Sequence, residues 1–421
     1  MNLRLINIKQ LGGVHPPNTI ALRGKALDHF PFIENAYLTL RDGKIEDFGP
    51  MTQCPQDETP TQDLTGRCVL PAFVDSHSHL VYAGTREQEF NLRLKGASYE
   101  DIAAAGGGIL NSAGRVAATT QNEMQHQSSL RLERLIANGT GTLEIKSGYG
   151  LDPENELKML RTIKALNEVS KATLVPTFLA AHALPAWAKA RGMNDASYTK
   201  YMLDECLPTI QNEGLAGFLD GFIERDYFKL DALQHLIDAS TNSGLPLKIH
   251  VNQFYDIGGI QMAVEAGALS VDHLEVMSPE ALKALHGSDT IATLLPSCSY
   301  FLGIPYSPAR ELIENDCVVA LATDYNPGSS PGGNMQLVCN MACTQMKMTP
   351  AEALNAATIN GAAALHLSEC KGSIALGKDA DLLITKAIPS LEYLCYDFGT
   401  NHIQTTIFGG TAKEIFFGVM F

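Results

Sequence analysis

The alternation of apolar and polar positions divides the 421 residues into two kinds of segment. Short alternating runs separated by turn residues occupy both ends of the chain, at residues 3–8, 36–40, 377–384 and 405–410. The Asp42-Gly43 pair, which follows one such run, is a strong hairpin signal. We therefore predict that residues 1–66 and 368–421 jointly form a small β-sandwich domain.

The middle of the chain alternates apolar strand candidates with amphipathic helical runs such as residues 154–165 and 232–240. The strand candidates span residues 68–76, 141–146, 174–181, 218–223, 245–251, 269–273, 291–297 and 318–322. Eight strands alternating with helices predict an α/β fold, a (β/α)8 TIM barrel over residues 67–367. An open doubly wound sheet is the alternative arrangement of these elements.

The charge balance narrows the classes of partner. Lys and Arg number 31 against 46 Asp and Glu, the formal charge is −15, and no dense basic run occurs. This balance argues against nucleic acid and anionic membrane surfaces as partners. It leaves room for a small acidic substrate, because one local arginine can outweigh the average field.

Two further features of composition concern the cellular compartment. The chain has two long uncharged stretches, and prolines interrupt both of them. Neither stretch therefore offers the run of about 20 apolar residues that a membrane span needs. The nine cysteines are scattered and form no C-x-x-C motif. This pattern favours a reducing cytoplasm over a disulfide framework.

Polar residues cluster where the predicted strands end. They lie at residues 75–79, 146–150, 182, 224, 250–253, 272–275 and 323–326. In a barrel these ends meet at one face, which carries the active site. We therefore expect a catalytic centre assembled from several strands.

His77 and His79 are the strongest metal-ligand candidates from spacing alone. Residues two apart on a strand point to the same side. Two imidazoles, together with another histidine and a carboxylate from other strand ends, suit Zn or Fe with an open position for water. The alternative is a surface or capping pair of histidines without a metal.

Residues 71–79 (PAFVDSHSH) resemble the first-strand signature of the amidohydrolase superfamily, and residues 377–382 (GKDADL) resemble its C-terminal β-domain tag. The resemblance runs nearly end to end and keeps the order of the motifs. Its nearest point is a group of enzymes of histidine degradation, and it rests on residues 84–90 (GTREQEF), 144–150 (EIKSGYG), 181–183 (AHA), 249–253 (IHVNQ) and 322–329 (ATDYNPGS).

The resemblance implies a reaction and a set of site residues. The reaction is hydrolytic opening of 4-imidazolone-5-propanoate to N-formimidoyl-L-glutamate. The implied cofactor is one Zn²⁺ or Fe ion per subunit, held by His77, His79, His250 and Asp324. The implied substrate contacts come from Arg86, Tyr149, His182, Gln253, Asn326, Gly328 and Ser329.

One departure keeps a second function open. Relatives that deaminate ring amidines carry glutamate at the fourth position of an H-x-x-E motif, where this chain has Gln253. The alternative is therefore an amidohydrolase-superfamily deaminase acting on a heteroaromatic ring, which Gln253 disfavours because an amide cannot shuttle a proton. A homodimer is the default expectation for the assembly.

Elementary chemistry assigns roles to several of these residues. The guanidinium of Arg86 suits a carboxylate tail, although a salt bridge with Glu87 or Glu89 is the alternative. Tyr149 can donate a phenolic hydrogen bond or merely pack, and His182 can be functional or structural.

The predicted catalytic residues are Asp324, His273 and Gln253. Asp324 can hold a water molecule, accept its proton and pass it to the leaving nitrogen. His273 can assist that water or polarise the carbonyl group, or it can support the site together with Asp272.

Overall fold

The computed structural model describes residues 2–96 and 107–409. Eight parallel strands of the middle region form one sheet in sequential order. They are β6 (Phe73–Asp75), β7 (Thr140–Lys146), β8 (Thr173–Ala181), β9 (Phe218–Ile223), β10 (Lys248–Val251), β11 (Ser270–His273), β12 (Ile291–Leu294) and β13 (Val318–Leu321). A bridge between Ser78 and Tyr325 joins the two ends of the sheet, which confirms the predicted barrel.

Three predicted strands have clearly different limits in the structure, and one of them, predicted at residues 245–251, begins only at Lys248. Residues 68–76 do not form one strand, because β5 (Arg67–Pro71) belongs to another sheet and the barrel begins only at β6. The backbone N–H of Ala72 donates to Asp381 O at this break. The strand predicted at residues 291–297 ends at Leu294, since a helix begins at Pro296. Proline at the first helical position has the backbone angle that a helix start needs.

Helices alternate with the barrel strands along the chain. Their bounds are Glu87–Leu94, Ile109–Ala118, Gln121–Ala137, Pro153–Val169, Ala186–Ala190, Asp195–Glu213, Leu230–Ser243, Gly259–Glu265, Pro279–Leu285, Pro296–Leu302, Ala309–Glu314, Met335–Met346, Pro350–Ala356, Ile359–Ala363 and Tyr393–Tyr396. Short 3₁₀ helices lie at Gly24–Asp28 and Met51–Gln53. Within the part of the chain that the structure describes, no helix is long and apolar enough to span a membrane.

The two ends of the chain form one mixed seven-stranded sheet. Besides β5, its strands are β1 (Leu3–Gly12), β2 (Phe32–Arg41), β3 (Lys44–Pro50), β4 (Thr61–Asp63), β14 (Leu382–Ala387) and β15 (Ile403–Ile407). Asp42 and Gly43 both have positive φ angles, 48° and 79°, as a type I′ hairpin between β2 and β3 requires. The sheet formed jointly by the two chain ends is confirmed, whereas the domain bounds at residues 66 and 368 stay predictions, and residues 410–421 lie outside the described residues.

The terminal sheet has a hydrophobic cluster of its own and also contributes Leu70 and Leu383 to the larger barrel cluster. One cluster lies within the terminal sheet and includes Leu5, Leu38 and Ile384, while a larger cluster joins the barrel strands to their helices. The barrel strands β9 to β13 are buried on both faces, which is why they appear in the sequence as continuous apolar runs. This rigid barrel fixes the positions of the strand ends that carry the polar residues.

Candidate active site

The closing seam of the barrel brings the first and last strand ends together. The backbone N–H of Asp324 donates to His77 O at 3.0 Å, and that of His79 donates to Tyr325 O at 2.8 Å. Asp324 has a φ of 51°, a left-handed conformation that side chains other than glycine rarely adopt. This turn after β13 places the Asp324 carboxylate beside the two histidines that follow β6.

Three imidazoles and one carboxylate converge at the seam. Asp324 Oδ1 lies 3.5 Å from both His77 Nε2 and His79 Nε2, and His250 Nε2 lies 3.2 Å from His79 Nε2. All four side chains are buried. His77 Nε2 has no hydrogen-bond partner among the described residues, so a buried nitrogen lone pair or N–H faces the cluster unsatisfied. These donors fit a transition-metal ion, for which neutral imidazole and carboxylate are ordinary ligands.

Burial sets the protonation of this cluster. It lowers the pKa of His77, His79 and His250 well below the usual value, so their rings are neutral at pH 7. Burial also raises the pKa of Asp324 to about 6, although His273 acts in the opposite direction. Neutral rings are the form in which histidine binds a metal.

Two aspartates orient the histidines from behind. His77 Nδ1 lies 2.7 Å from Asp272 Oδ2, and His250 Nδ1 lies 3.0 Å from Asp220 Oδ2. A carboxylate accepts the Nδ1–H of each ring, which leaves Nε2 as the metal-facing atom. From its sequence position Asp272 is predicted only as a partner of His273, and no sequence pattern predicts the role of Asp220.

Lys146 connects the two aspartates. Its ammonium lies 2.7 Å from Asp220 Oδ2 and 3.5 Å from Asp272 Oδ2, and it also contacts Glu144 at 3.0 Å. Burial alone would lower the pKa of Lys146, but these carboxylates outweigh it and raise the pKa. The lysine is therefore charged. In the sequence, this network could have been recognised only from a lysine and two acidic residues within strands that are otherwise apolar.

A cavity of about 170 Å³ opens above the histidine cluster. Seven residues with predicted substrate contacts line it together: Arg86, Tyr149, His182, Gln253, Asn326, Gly328 and Ser329. His79, His250, His273 and Asp324 lie in its wall as well, whereas His77 lies outside the lining. The cavity wall thus contains all the predicted contact residues and three of the four predicted metal ligands.

Arg86 lies inside this cavity and also forms the salt bridge considered as its alternative. Its Nε donates to Glu89 Oε2 at 2.8 Å, and only 12% of its side chain is exposed. A Cβ atom on Gly328 would lie 2.2 Å from Arg86 Nη1, so the glycine leaves room for the guanidinium. Nη1 is thereby held at the wall of the cavity beside Gly328.

Tyr149 and His182 form an aromatic part of the cavity wall. The His182 ring stacks on His79 with centroids 5.6 Å apart, and the Tyr149 ring is 5.3 Å from His182. His182 Nδ1 lies 2.7 Å from Gly148 O, and a carbonyl can only accept, so Nδ1 carries the proton. Burial lowers the pKa of His182 to about 4, which keeps the ring neutral.

Asn326 organises the loop that follows Asp324. Its Oδ1 accepts from the backbone N–H groups of Gly328 and Ser329, and its Nδ2 donates to Asp324 O and Ser329 Oγ. Ser329 Oγ in turn donates to Asp324 Oδ2 at 3.3 Å. The amide of Asn326 therefore makes all its hydrogen bonds within the loop, while Ser329 reaches the carboxylate.

His273 and Glu275 form a buried pair beside Asp324. His273 Nδ1 lies 3.3 Å from Glu275 Oε1, and Ser299 Oγ donates to the same oxygen. Burial would lower the pKa of His273, but the Glu275 carboxylate outweighs it and the pKa is raised. The φ of His273 is 91°, a strained value of the kind found at functional sites. The structure pairs His273 with Glu275, whereas Asp272 faces His77.

The fold and this site define a class of protein. The model of the amidohydrolase family matches residues 68–413, which span the barrel and the returning strands. The chain therefore belongs to the amidohydrolase family, and the enzyme is a hydrolase.

Similar proteins place the chain in a narrower group within this family. The chain is 50% identical over 412 residues to the imidazolonepropionase of Christiangramia forsetii, with 97% of this chain and 99% of the relative covered. It is 49% identical to the imidazolonepropionase of Flavobacterium johnsoniae, with 96% and 98% covered. Within the amidohydrolases the chain thus groups with the imidazolonepropionases.

A solved structure supports the fold alone. An adenosine deaminase from Xanthomonas campestris with bound zinc has a TM-score of 0.69 to this chain at 16% identity. The match covers 97% of this chain and 92% of the deaminase.

Proposed function

We propose that the enzyme hydrolyses the ring amide of 4-imidazolone-5-propanoate and releases N-formimidoyl-L-glutamate. The observation that carries this proposal is the arrangement of one cavity. The metal-ligand cluster forms part of its wall, and the Arg86 guanidinium lies in the same wall beside Gly328. A flat ring with a propionate tail matches both features, because the ring needs hydrolysis and the tail needs a cation.

We assign the metal site to His77, His79, His250 and Asp324, with one Zn²⁺ or Fe ion per subunit. Such an ion supplies Lewis acidity and lets a water molecule lose a proton near neutral pH. Asp220 and Asp272 support this assignment, because each accepts the Nδ1–H of a ligand histidine and directs its Nε2 to the centre.

Asp324 moves the proton in this proposal. The water oxygen bonds to the ring carbonyl carbon, and the bond from that carbon to the ring nitrogen breaks. Asp324 takes one water proton and delivers it to the leaving nitrogen, while the new carboxylic acid loses the other to solvent. Ser329 holds Asp324 Oδ2 from the loop side, so the carboxylate keeps one orientation through both transfers.

The other residues bind and polarise the substrate. Arg86 takes the propionate through a charge-assisted hydrogen bond, and Tyr149 adds a phenolic donor. His273, held by Glu275, directs its remaining nitrogen toward the ring carbonyl oxygen. His182 is neutral with its proton on Nδ1, so its Nε2 accepts a hydrogen bond from the substrate side.

Product analysis separates this function from deamination. Metal-loaded enzyme should consume 4-imidazolone-5-propanoate with loss of its ultraviolet absorbance, yield N-formimidoyl-L-glutamate and release no ammonia. As a matched control, 4-imidazolone without the propionate tail should react only at a much higher KM. Ammonia release from heteroaromatic amines, with the imidazolone left intact, would overturn the proposal in favour of a deaminase.

The setting of the enzyme completes the proposal. We assign it to the cytoplasm as a homodimer that acts on a small molecule, with neither nucleic acid nor a membrane as a partner. The nine free cysteines and the net charge of −15 support this assignment.

A further inference from the structure

Gln253 lies in the cavity wall on a backbone that is fixed on both sides. The side chain of Asn252 donates to Val276 O at 3.0 Å, and the backbone N–H of Phe254 donates to Glu224 Oε2 at 2.9 Å. The residue itself is 8% exposed. The side-chain amide is therefore the remaining variable, and it can present either its oxygen or its nitrogen to the substrate.

Cys298 is the neighbour that decides this orientation. Gln253 Nε2 lies 3.3 Å from Cys298 Sγ, and the cysteine is fully buried. The helix turn that carries the thiol is fixed by the residues on either side of it. Ser297 Oγ donates to Thr323 O at 2.7 Å, and Ser299 Oγ donates to Glu275 Oε1 at 3.2 Å.

The thiol and the amide meet through the NH₂ group of the amide. Gln253 Nε2 is the atom that lies 3.3 Å from Cys298 Sγ, and a lone pair of the sulfur accepts its hydrogen. Both side chains are buried, so the NH₂ group has the sulfur as its partner in place of water. The other end of the amide, Oε1, is left for the cavity, whose wall contains Gln253.

We infer that Cys298 is a positioning residue that holds Gln253 with its carbonyl oxygen toward the substrate, as an acceptor for a ring N–H. The inference rests on the proposed function for the identity of the ring. It adds a rule of specificity, because a ring with an N–H at this edge is accepted and one with a bare nitrogen lone pair is rejected. Such a ring is rejected because its nitrogen lone pair would face Gln253 Oε1, and two acceptors without a hydrogen between them are unfavourable in a buried site.

Kinetics of variants test the positioning role. Cys298→Val removes the acceptor at similar volume, and it should raise KM about tenfold while kcat stays within about threefold. Cys298→Ser keeps one donor and one acceptor and should recover most of the loss. In a Gln253→Ala background Cys298→Val should add nothing, because the amide it holds is gone. Cys206→Val is the matched control, a buried thiol in the Asp195–Glu213 helix, and should change neither constant.

Two outcomes would overturn the inference. Additive losses in the double variant, or an equal loss in Cys298→Ser and Cys298→Val, would mean that the cysteine only fills space. Metal content and melting temperature, measured for every variant, identify losses that come from a damaged fold.

A measurement without turnover keeps this inference separate from the proposed function. Neutron diffraction from crystals exchanged into heavy water locates the two deuterons of the Gln253 amide. Deuterons on the atom facing Cys298 support the inference even if the imidazolone is not the substrate. An oxygen facing Cys298 contradicts it, whatever the enzyme hydrolyses.

Discussion

His77 Nδ1 and Asp272 Oδ2 lie 2.7 Å apart in the fully buried core of the barrel mouth. The contact assigns the proton of the ring to Nδ1 and turns Nε2 toward Asp324. Asp272 is itself held by Ser270 Oγ at 2.6 Å and by Lys146 at 3.5 Å. The orientation of one metal-ligand candidate is thus set by residues of β7 and β11, the first and fifth strands from β6 along the sheet.

Asp272→Asn tests this arrangement. The amide keeps the size of the side chain but loses the charge that faces Lys146 and strengthens the His77 ring as a ligand. We expect metal affinity to fall by about 10- to 100-fold, the range found when such supporting groups are removed. Competition with a chromophoric chelator measures the change. Asp238→Asn, on the helix Leu230–Ser243, is the control, and unchanged affinity in Asp272→Asn would remove Asp272 from the site.

Arg86→Lys tests the anchor for the carboxylate tail. Lysine keeps the charge but loses the planar fork, so KM should rise by about tenfold or more with a smaller effect on kcat. Arg161→Lys is a matched control, because Arg161 also donates to a glutamate, Glu213, through Nε and Nη2 but is far more exposed. A KM that does not respond to Arg86→Lys would leave Arg86 as a structural partner of Glu89.

Asp324→Asn separates the two roles given to this residue. Asparagine keeps a coordinating oxygen but cannot carry a proton, so kcat should fall at least about 100-fold in protein reconstituted to full metal content. The comparison requires equal metal occupancy, because lost metal would mimic lost chemistry. A metal-replete variant with substantial kcat would transfer the proton role to another group, with His273 the first candidate.

His182 predicts a dependence of stability on pH. Its pKa of about 4 in the folded protein lies below the ordinary 6.5, so the unfolded chain binds more protons between these values. Stability from this residue is therefore complete above pH 6.5 and is lost as pH falls toward 4, by about 3 kcal/mol in total. In His182→Asn the free energy of unfolding should fall less over that range, as denaturant titrations would show. If the free energy of unfolding depended on pH in the same way in the wild-type protein and in His182→Asn, His182 would already be solvated in the folded protein.

Much of the barrel could be predicted because burial of a strand determines the composition of that strand itself. Strands covered on both faces must be apolar throughout, so their polar residues stand out where the strands end. That contrast marked His77, His250 and Asp324, and the structure brings His77 within reach of both His250 and Asp324. The alternation at the chain ends likewise revealed a second sheet.

The features of the fold and the site that could not be predicted depend on contacts between segments far apart in the chain. Residues 68–76 look like one strand, and only the pairing of β5 with β14 shows where the first sheet ends. Lys146 and Asp220 are 74 positions apart, and no local pattern tells that they share a hydrogen bond. No sequence pattern distinguishes Cys298 from the other scattered cysteines, since its contact with Gln253 requires the helix that begins at Pro296.

The most direct test of the whole account is to run the reaction of 4-imidazolone-5-propanoate in water enriched in oxygen-18. Hydrolysis of the ring amide places one labelled oxygen in the new α-carboxylate of N-formimidoyl-L-glutamate and leaves every nitrogen in the product. Mass spectrometry of that product with a parallel ammonia assay makes the measurement. We predict a single label and no ammonia, whereas ammonia release or an unlabelled ring-opened product would contradict the account.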